Sequence, residues 1–222
     1  MGQRVYAVRI GDKYGPHYED YINSKIPDVN WIRKPFDSRV KLQWNKLWPM
    51  SLDIDEPVVV IDIDMLFIHD YMDAINYPIE RGEFLSIPCW WGDTPKKDYK
   101  MNGGFQKYYP NDAKYIFDEF MSRPEYWTEY YIENKTTIGP VNGEQYFVED
   151  MVRKKLNLKL LPESWVCKWH HKISKAEDVK LNYRYQEEWL YLDEEFHSQI
   201  RLVHFLNQES LDKEQLKDLE SF

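Results

Sequence analysis

The sequence predicts one α/β domain, a mostly parallel central sheet flanked by helices, and three observations lead there. Val58-Val59-Val60-Ile61 is an unbroken apolar run dominated by β-branched residues. Continuous rather than alternating apolar character marks a strand covered on both faces, as inner strands of layered α/β sheets are. Strand-like runs alternate with stretches of helical spacing, and no internal repeat, low-complexity tract or linker divides them. The 222 residues are 43% hydrophobic and 30% charged, which provides one sizeable core within a well-solvated surface.

Taken in order, residues 5–10 form a first apolar-rich strand, ended by Gly11-Asp12. Pro16 suits a first helical turn, and Tyr18, Tyr21 and Ile22 follow at helical spacing. Residues 30–33 suit a second short strand. Residues 38–48 read as a helix stopped by Pro49. The β-branched strand comes next, and residues 84–87 suit another. Residues 112–121 and 143–156 read as helices, with Asn111 and Asn142 near their starts as caps. Residues 201–205 give a late strand, and residues 211–219 an amphipathic terminal helix. Within the single domain, residues 1–100 and 101–206 are expected as two successive parts, and residues 210–222 as a closing helix.

Charge and composition narrow the function. Lys plus Arg number 29 against 38 Asp plus Glu, a net charge of −9, which repels nucleic acid and anionic membranes at long range. A small phosphate-bearing ligand stays compatible, because a bound cation reverses the local field. Cys89 and Cys167 are the two cysteines and lack metal-binding spacing, so neither a disulfide framework nor a thiolate metal site is expected. No apolar stretch reaches the roughly 20 residues of a membrane span. Nor does the N-terminus read as a signal peptide, so the expectation is a soluble cytoplasmic protein. Aromatic residues make up 16%, with 9 Trp and 17 Tyr. They serve either as ordinary packing or as platforms against sugar faces and a nucleobase.

The chemistry concentrates at the end of the buried strand. Asp62-x-Asp64 lies where open α/β sheets collect ligands, outside the carboxyl ends of strands. Two carboxylates at such a rim call for a divalent cation, although a capping or salt-bridged pair has the same pattern. Asp53-x-Asp55 has no apolar strand before it and reads as solvated.

Residues 58–66, Val-Val-Val-Ile-Asp-Ile-Asp-Met-Leu, resemble the strand and D-x-D of GT-A glycosyltransferases, within them the glycogenin and galactosyltransferase group. Lys46-Leu47, with Ser51-Leu52 after them, is similar to the helix leading into that strand. Gly11-Asp12-Lys13-Tyr14 resembles the first nucleotide loop, and Met101-Asn102-Gly103-Gly104-Phe105 the Asn-small-Gly segment beside the donor sugar. Gly143-Glu144-Gln145 resembles the Gly-Asp-Gln segment, and Val203-His204-Phe205-Leu206 the late His-Phe element. Among family members, the small enzymes of large algal viruses are similar in size, and such an origin would put the protein in host cytoplasm. Two departures stand out: Asn207-Gln208-Glu209 replaces the family's glycine and phosphate-contacting lysine, and an acidic residue found in some relatives before Glu144 is missing.

The resemblance implies a GT-A-like (Rossmann-like) domain that moves a sugar from a nucleotide sugar, by preference a uridine diphosphate sugar, to a carbohydrate or glycoprotein glycan. It implies Asp62, Asp64 and His204 as metal ligands, for Mn²⁺ by preference because an imidazole suits it better than Mg²⁺. Arg9, Gly11, Asp12, Tyr14, Asp62, Asn102, Gly103 and Gly104 would hold the donor, with Tyr14 stacked on the base. Lys46, Glu144 and Gln145 complete the candidate catalytic set, Lys46 as a charge at the phosphates. Each has a plainer reading in isolation: a surface lysine, a helix-dipole carboxylate, an Asn-Gly turn, a hydrogen-bonded core histidine. Trp165, Trp169, His170 and His171 are candidates for the acceptor side, or for a solvent-facing turn. The rival readings are a haloacid-dehalogenase-like phosphatase, which also sets Asp-x-Asp after an apolar strand, and a sugar-binding module.

Overall fold

The computed structural model describes residues 4–89, 99–135, 143–168 and 199–204. The chain opens with β1 (Arg4–Val8), α1 (Pro16–Lys25) and β2 (Asn30–Ile32), close to the expected bounds. Pro16 sits in the first turn of α1, where the missing amide costs no helical hydrogen bond. Tyr18, Tyr21 and Ile22 line its buried face. The segment expected as a helix over 38–48 is instead a three-ten run, Leu42–Ser51, with Pro49 inside it. Such a run closes its hydrogen bonds one short turn at a time, so Pro49 deletes one donor without ending the segment.

β3 (Val58–Ile61) and β4 (Met65–Phe67) follow, separated by Asp62-Ile63-Asp64. After α2 (Met72–Asn76) come β5 (Glu83–Pro88) and β6 (Met101–Tyr108), then α3 (Pro110–Ser122), α4 (Pro124–Lys135) and α5 (Glu144–Lys155). β7 (Asn157–Leu160), β8 (Val166–Lys168) and β9 (Leu202–His204) complete the described chain. Asn111 does not cap α3: Pro110 is already in its first turn, and the Asn111 amide donates to Asp55. Asn142, Trp169, His170, His171 and the expected terminal helix lie outside the described residues.

Six strands form one sheet in the order β2-β1-β3-β6-β5-β7. All pairs are parallel except those of β6, which runs against β3 and β5, so five strands share one direction. β3 is fully buried, and its residues alternate between two cores: Val59 and Ile61 on one face, Val58 and Val60 on the other. The first face is covered by α1 and α2, the second by the three-ten run with α3 and α5. A second sheet, β4-β9-β8, pairs β4 antiparallel with β9 and β8 parallel with it. Residues 62–64 therefore bridge two sheets. No helix among the described residues is long and apolar enough to cross a membrane.

Candidate metal and nucleotide site

The site is assembled at that bridge. The Asp62 amide donates to the Gly104 carbonyl (2.8 Å), which extends the β3–β6 ladder one step past the strand. Immediately after Asp64, Met65 opens β4 and pairs in register with His204 of β9. Sheet pairing thus brings an imidazole from late in the chain beside two carboxylates from its first third. His204 Nε2 lies 3.3 Å from Asp64 Oδ1 and 3.6 Å from Asp62 Oδ2. Asp64 and His204 are buried, while Asp62 is partly open to solvent. Ligand atoms of these three residues lie within 4.8 Å of one another, and they are the only His, Cys, Asp or Glu cluster of that kind among the described residues.

Their chemistry fits a divalent ion: two hard carboxylates and one imidazole suit Mn²⁺. Two glycines make the approach possible. A Cβ on Gly104 would lie 2.9 Å from Asn102 Oδ1, and 3.3 Å from both His204 Nε2 and Met65 Sδ. On Gly103 it would lie 3.0 Å from Gln145 Cβ and 3.2 Å from Glu144 Oε2. Residues 101–105 accordingly belong to a buried strand, not the turn that Asn-Gly also signals.

Lys46 is buried, not on the surface. Its ammonium donates to Asp62 Oδ1 (2.8 Å), Glu144 Oε2 (3.0 Å) and the Gly103 carbonyl (3.0 Å). Burial opposes that charge, but Asp62 and Glu144 outweigh it and hold the ammonium above its ordinary range. Glu144, also buried, is raised by burial, against which Lys46 and the Gln106 amide (2.9 Å) act. For His204, burial opposes the charged form, yet Asp64 and Asp62 prevail and push it up to about 9. A metal ion would replace that proton.

Around this centre, Gln145 Oε1 accepts from the Gly103 amide (3.1 Å) and Asn102 Oδ1 from the Gly104 amide (2.8 Å). The first loop reaches the site through Tyr14, whose hydroxyl donates to Asp64 Oδ2 (2.9 Å). Arg9 Nε donates to the Tyr14 carbonyl (3.0 Å), and its Nη1 to Glu19 (3.1 Å). Gly11, at φ +83°, makes the turn out of β1, and Asp12 is exposed. Trp165 stands elsewhere, edge-on to Tyr77 at 5.8 Å and beneath the Arg201 guanidinium at 5.4 Å.

Asp53 and Asp55 are exposed, as expected of a solvated pair. Sequence reasoning missed Gln106, which supports Glu144, and Glu149, whose buried carboxylate accepts the Lys100 and Met101 amides and so ties α5 to the start of β6. Strand period could not have found Gln106, because the register of β6 against β5 shifts between Asn102 and Gln106.

This arrangement, a sheet with one reversed strand crossed at its rim by Asp-x-Asp and a small second sheet, has counterparts among solved glycosyltransferases. Among solved structures the chain is similar to the galactosyltransferase LgtC, crystallised with donor and acceptor sugar analogues (11% identity, 98% of this chain and 95% of that one, TM-score 0.61). It is also similar to the bifunctional glycosyltransferase WbbM (10% identity, 94% and 46%, TM-score 0.50) and to GlyE of Streptococcus pneumoniae TIGR4 (12% identity, 74% and 47%, TM-score 0.49). The chain thus spans nearly all of LgtC but about half of WbbM and GlyE. No family model matches the chain, and no curated protein matches its sequence. At 11% identity the likeness to LgtC establishes the GT-A fold.

Proposed function

We propose that the protein is a metal-dependent glycosyltransferase, taking a nucleotide sugar, by preference a uridine diphosphate sugar, as donor and a glycan as acceptor. The observation that carries this reading is the convergence of Asp62, Asp64 and His204 at the rim of a GT-A sheet. Sugar transfer leaves a nucleoside diphosphate whose charge grows as the glycosidic bond breaks, and a bound divalent ion supplies Lewis-acid stabilisation of that charge. The chain's own residues prepare the place. Asp62, Asp64 and His204 hold the ion, and Lys46 locks Asp62 against Glu144 while adding a fixed positive charge. Tyr14, Arg9, Gly11 and Asp12 form the nucleotide side. Asn102, Gly103 and Gly104 present backbone rather than side chains to the sugar, flanked by Glu144 and Gln145. The part before residue 100 would bind the nucleotide, and the part from 101 to 206 would face the acceptor.

The test is a panel of nucleotide sugars incubated without acceptor, with slow hydrolysis followed with and without Mn²⁺ and with Mg²⁺. One donor, cleaved only with metal, is the expected result. Asp64→Ala should abolish metal-dependent donor binding, because two remaining ligands make an incomplete clamp. Mn²⁺-dependent affinity retained in that variant, read by calorimetry with uridine diphosphate, would overturn the assignment.

A further inference from the structure

The two aspartates are held in matching ways. Asp62 commits Oδ1 to the Lys46 ammonium at 2.8 Å and turns Oδ2 toward His204 Nε2 at 3.6 Å. Asp64 commits Oδ2 to the Tyr14 hydroxyl at 2.9 Å and turns Oδ1 toward the same nitrogen at 3.3 Å. In each carboxylate, one oxygen is fixed by a donor from another element and the other faces a common point. For Asp62 that donor is a cation, and for Asp64 it is a neutral phenol from the loop between β1 and α1.

That loop is itself braced. Arg9 Nε donates to the Tyr14 carbonyl, Glu19 of α1 holds the Arg9 guanidinium, and the Tyr14 ring packs edge-on against Tyr18 with centroids 5.1 Å apart. The hydroxyl therefore meets Asp64 from a fixed direction. Partners outside the ligand set that orient ligating side chains tune metal affinity by about 10- to 100-fold.

We propose that the Tyr14 hydroxyl is a positioning group for the metal site, fixing Asp64 so that Oδ1 alone is presented beside His204. The inference rests on the metal-site reading above and deepens it. The side chain expected to meet the nucleobase with its ring also sets the geometry of a metal ligand with its hydroxyl. Nucleotide and metal binding are then coupled through one residue, since moving the Tyr14 ring moves the donor on Asp64.

The experiment measures Mn²⁺ binding without nucleotide, by the electron paramagnetic resonance signal of free Mn²⁺, in wild type, Tyr14→Phe, Tyr14→Ala and the exposed control Asp53→Asn. Circular dichroism and thermal midpoints in chelator verify folding. Tyr14→Phe should bind Mn²⁺ roughly 10- to 100-fold more weakly than wild type, Tyr14→Ala should lose no more than that, and Asp53→Asn should match wild type. Wild-type affinity in Tyr14→Phe overturns the role of the hydroxyl while leaving the metal site standing. So does a loss confined to Tyr14→Ala, which would assign the effect to the ring. Absence of saturable Mn²⁺ binding in wild type overturns the metal site and this inference together.

Discussion

Gly104 has no room for a side chain, and the reason is the candidate site itself. A methyl group there would sit 2.9 Å from Asn102 Oδ1 and 3.3 Å from His204 Nε2. Both neighbours are buried and cannot swing into solvent, so the strain falls on them. Overpacking of this kind costs about 1–3 kcal/mol. Gly104→Ala should therefore lower the thermal midpoint and weaken Mn²⁺ binding together, as Asn102 and His204 shift from a shared place. A variant less stable but with wild-type Mn²⁺ affinity would show that His204 tolerates displacement. Gly103 differs in kind, because its missing Cβ faces Glu144 and Gln145, so Gly103→Ala should disturb donor binding more than metal binding.

At the scale of elements, Glu19 of α1 joins two strand ends. It accepts from Arg9 beyond β1 and, at 2.7 and 3.2 Å, from Arg33 beyond β2. Burial would raise its carboxyl, but Arg33 and Arg9 outweigh that and hold it below the ordinary 4.5. Because the folded value is depressed, the clamp's contribution is complete above pH 4.5 and is lost as pH falls through the folded value below it. Glu19→Gln should lower the thermal midpoint at pH 7, and the gap from wild type should close on acidification below 4.5. The gap should also shrink at high salt, since the Arg33 side chain is 55% exposed. A gap unchanged at pH 3 would remove the charge from the explanation. The elements also differ in how legible they are in sequence. β3 could be read because a strand buried on both faces needs no alternation. β6 could not, because Gly103-Gly104 carries a turn signal, and only neighbours distant in sequence explain why side chains are excluded there. α4 escaped because the residues on its buried face are Pro124, Thr128 and Tyr131, so no aliphatic stripe marks that face in the sequence. Asp62 and Asp64 were legible from their strand, whereas the Lys46 and Tyr14 partnerships span 16 and 50 residues and emerge only in the fold.

Across the whole molecule, the three proposed ligands tie two sheets together. Asp62 is anchored to the six-stranded sheet through Gly104, while His204 enters on β9, paired with β4 in the smaller sheet. Without the ion, the polar part of that link is an imidazole beside two carboxylates, added to the apolar core that Leu202 and Val203 of β9 share with Val59 and Ile61 of β3. A ligand bound only by the folded state adds about 2.7 kcal/mol of stability at 100 times its dissociation constant. That gain should be uneven. β3 is fully buried between two cores and exchanges its amides only through global opening, so Mn²⁺ should slow it by the global gain alone. β9 is only three residues long and is expected to open locally, and the ion should suppress that opening through His204. Hydrogen exchange followed by mass spectrometry, with and without saturating Mn²⁺, should therefore show the largest gain in protection at β9 and β4. In Asp64→Ala that gain should vanish. Equal gains at β3 and β9 would mean that β9 opens only with the whole fold, and the ion would then be stabilising one cooperative unit rather than fastening the smaller sheet to the larger.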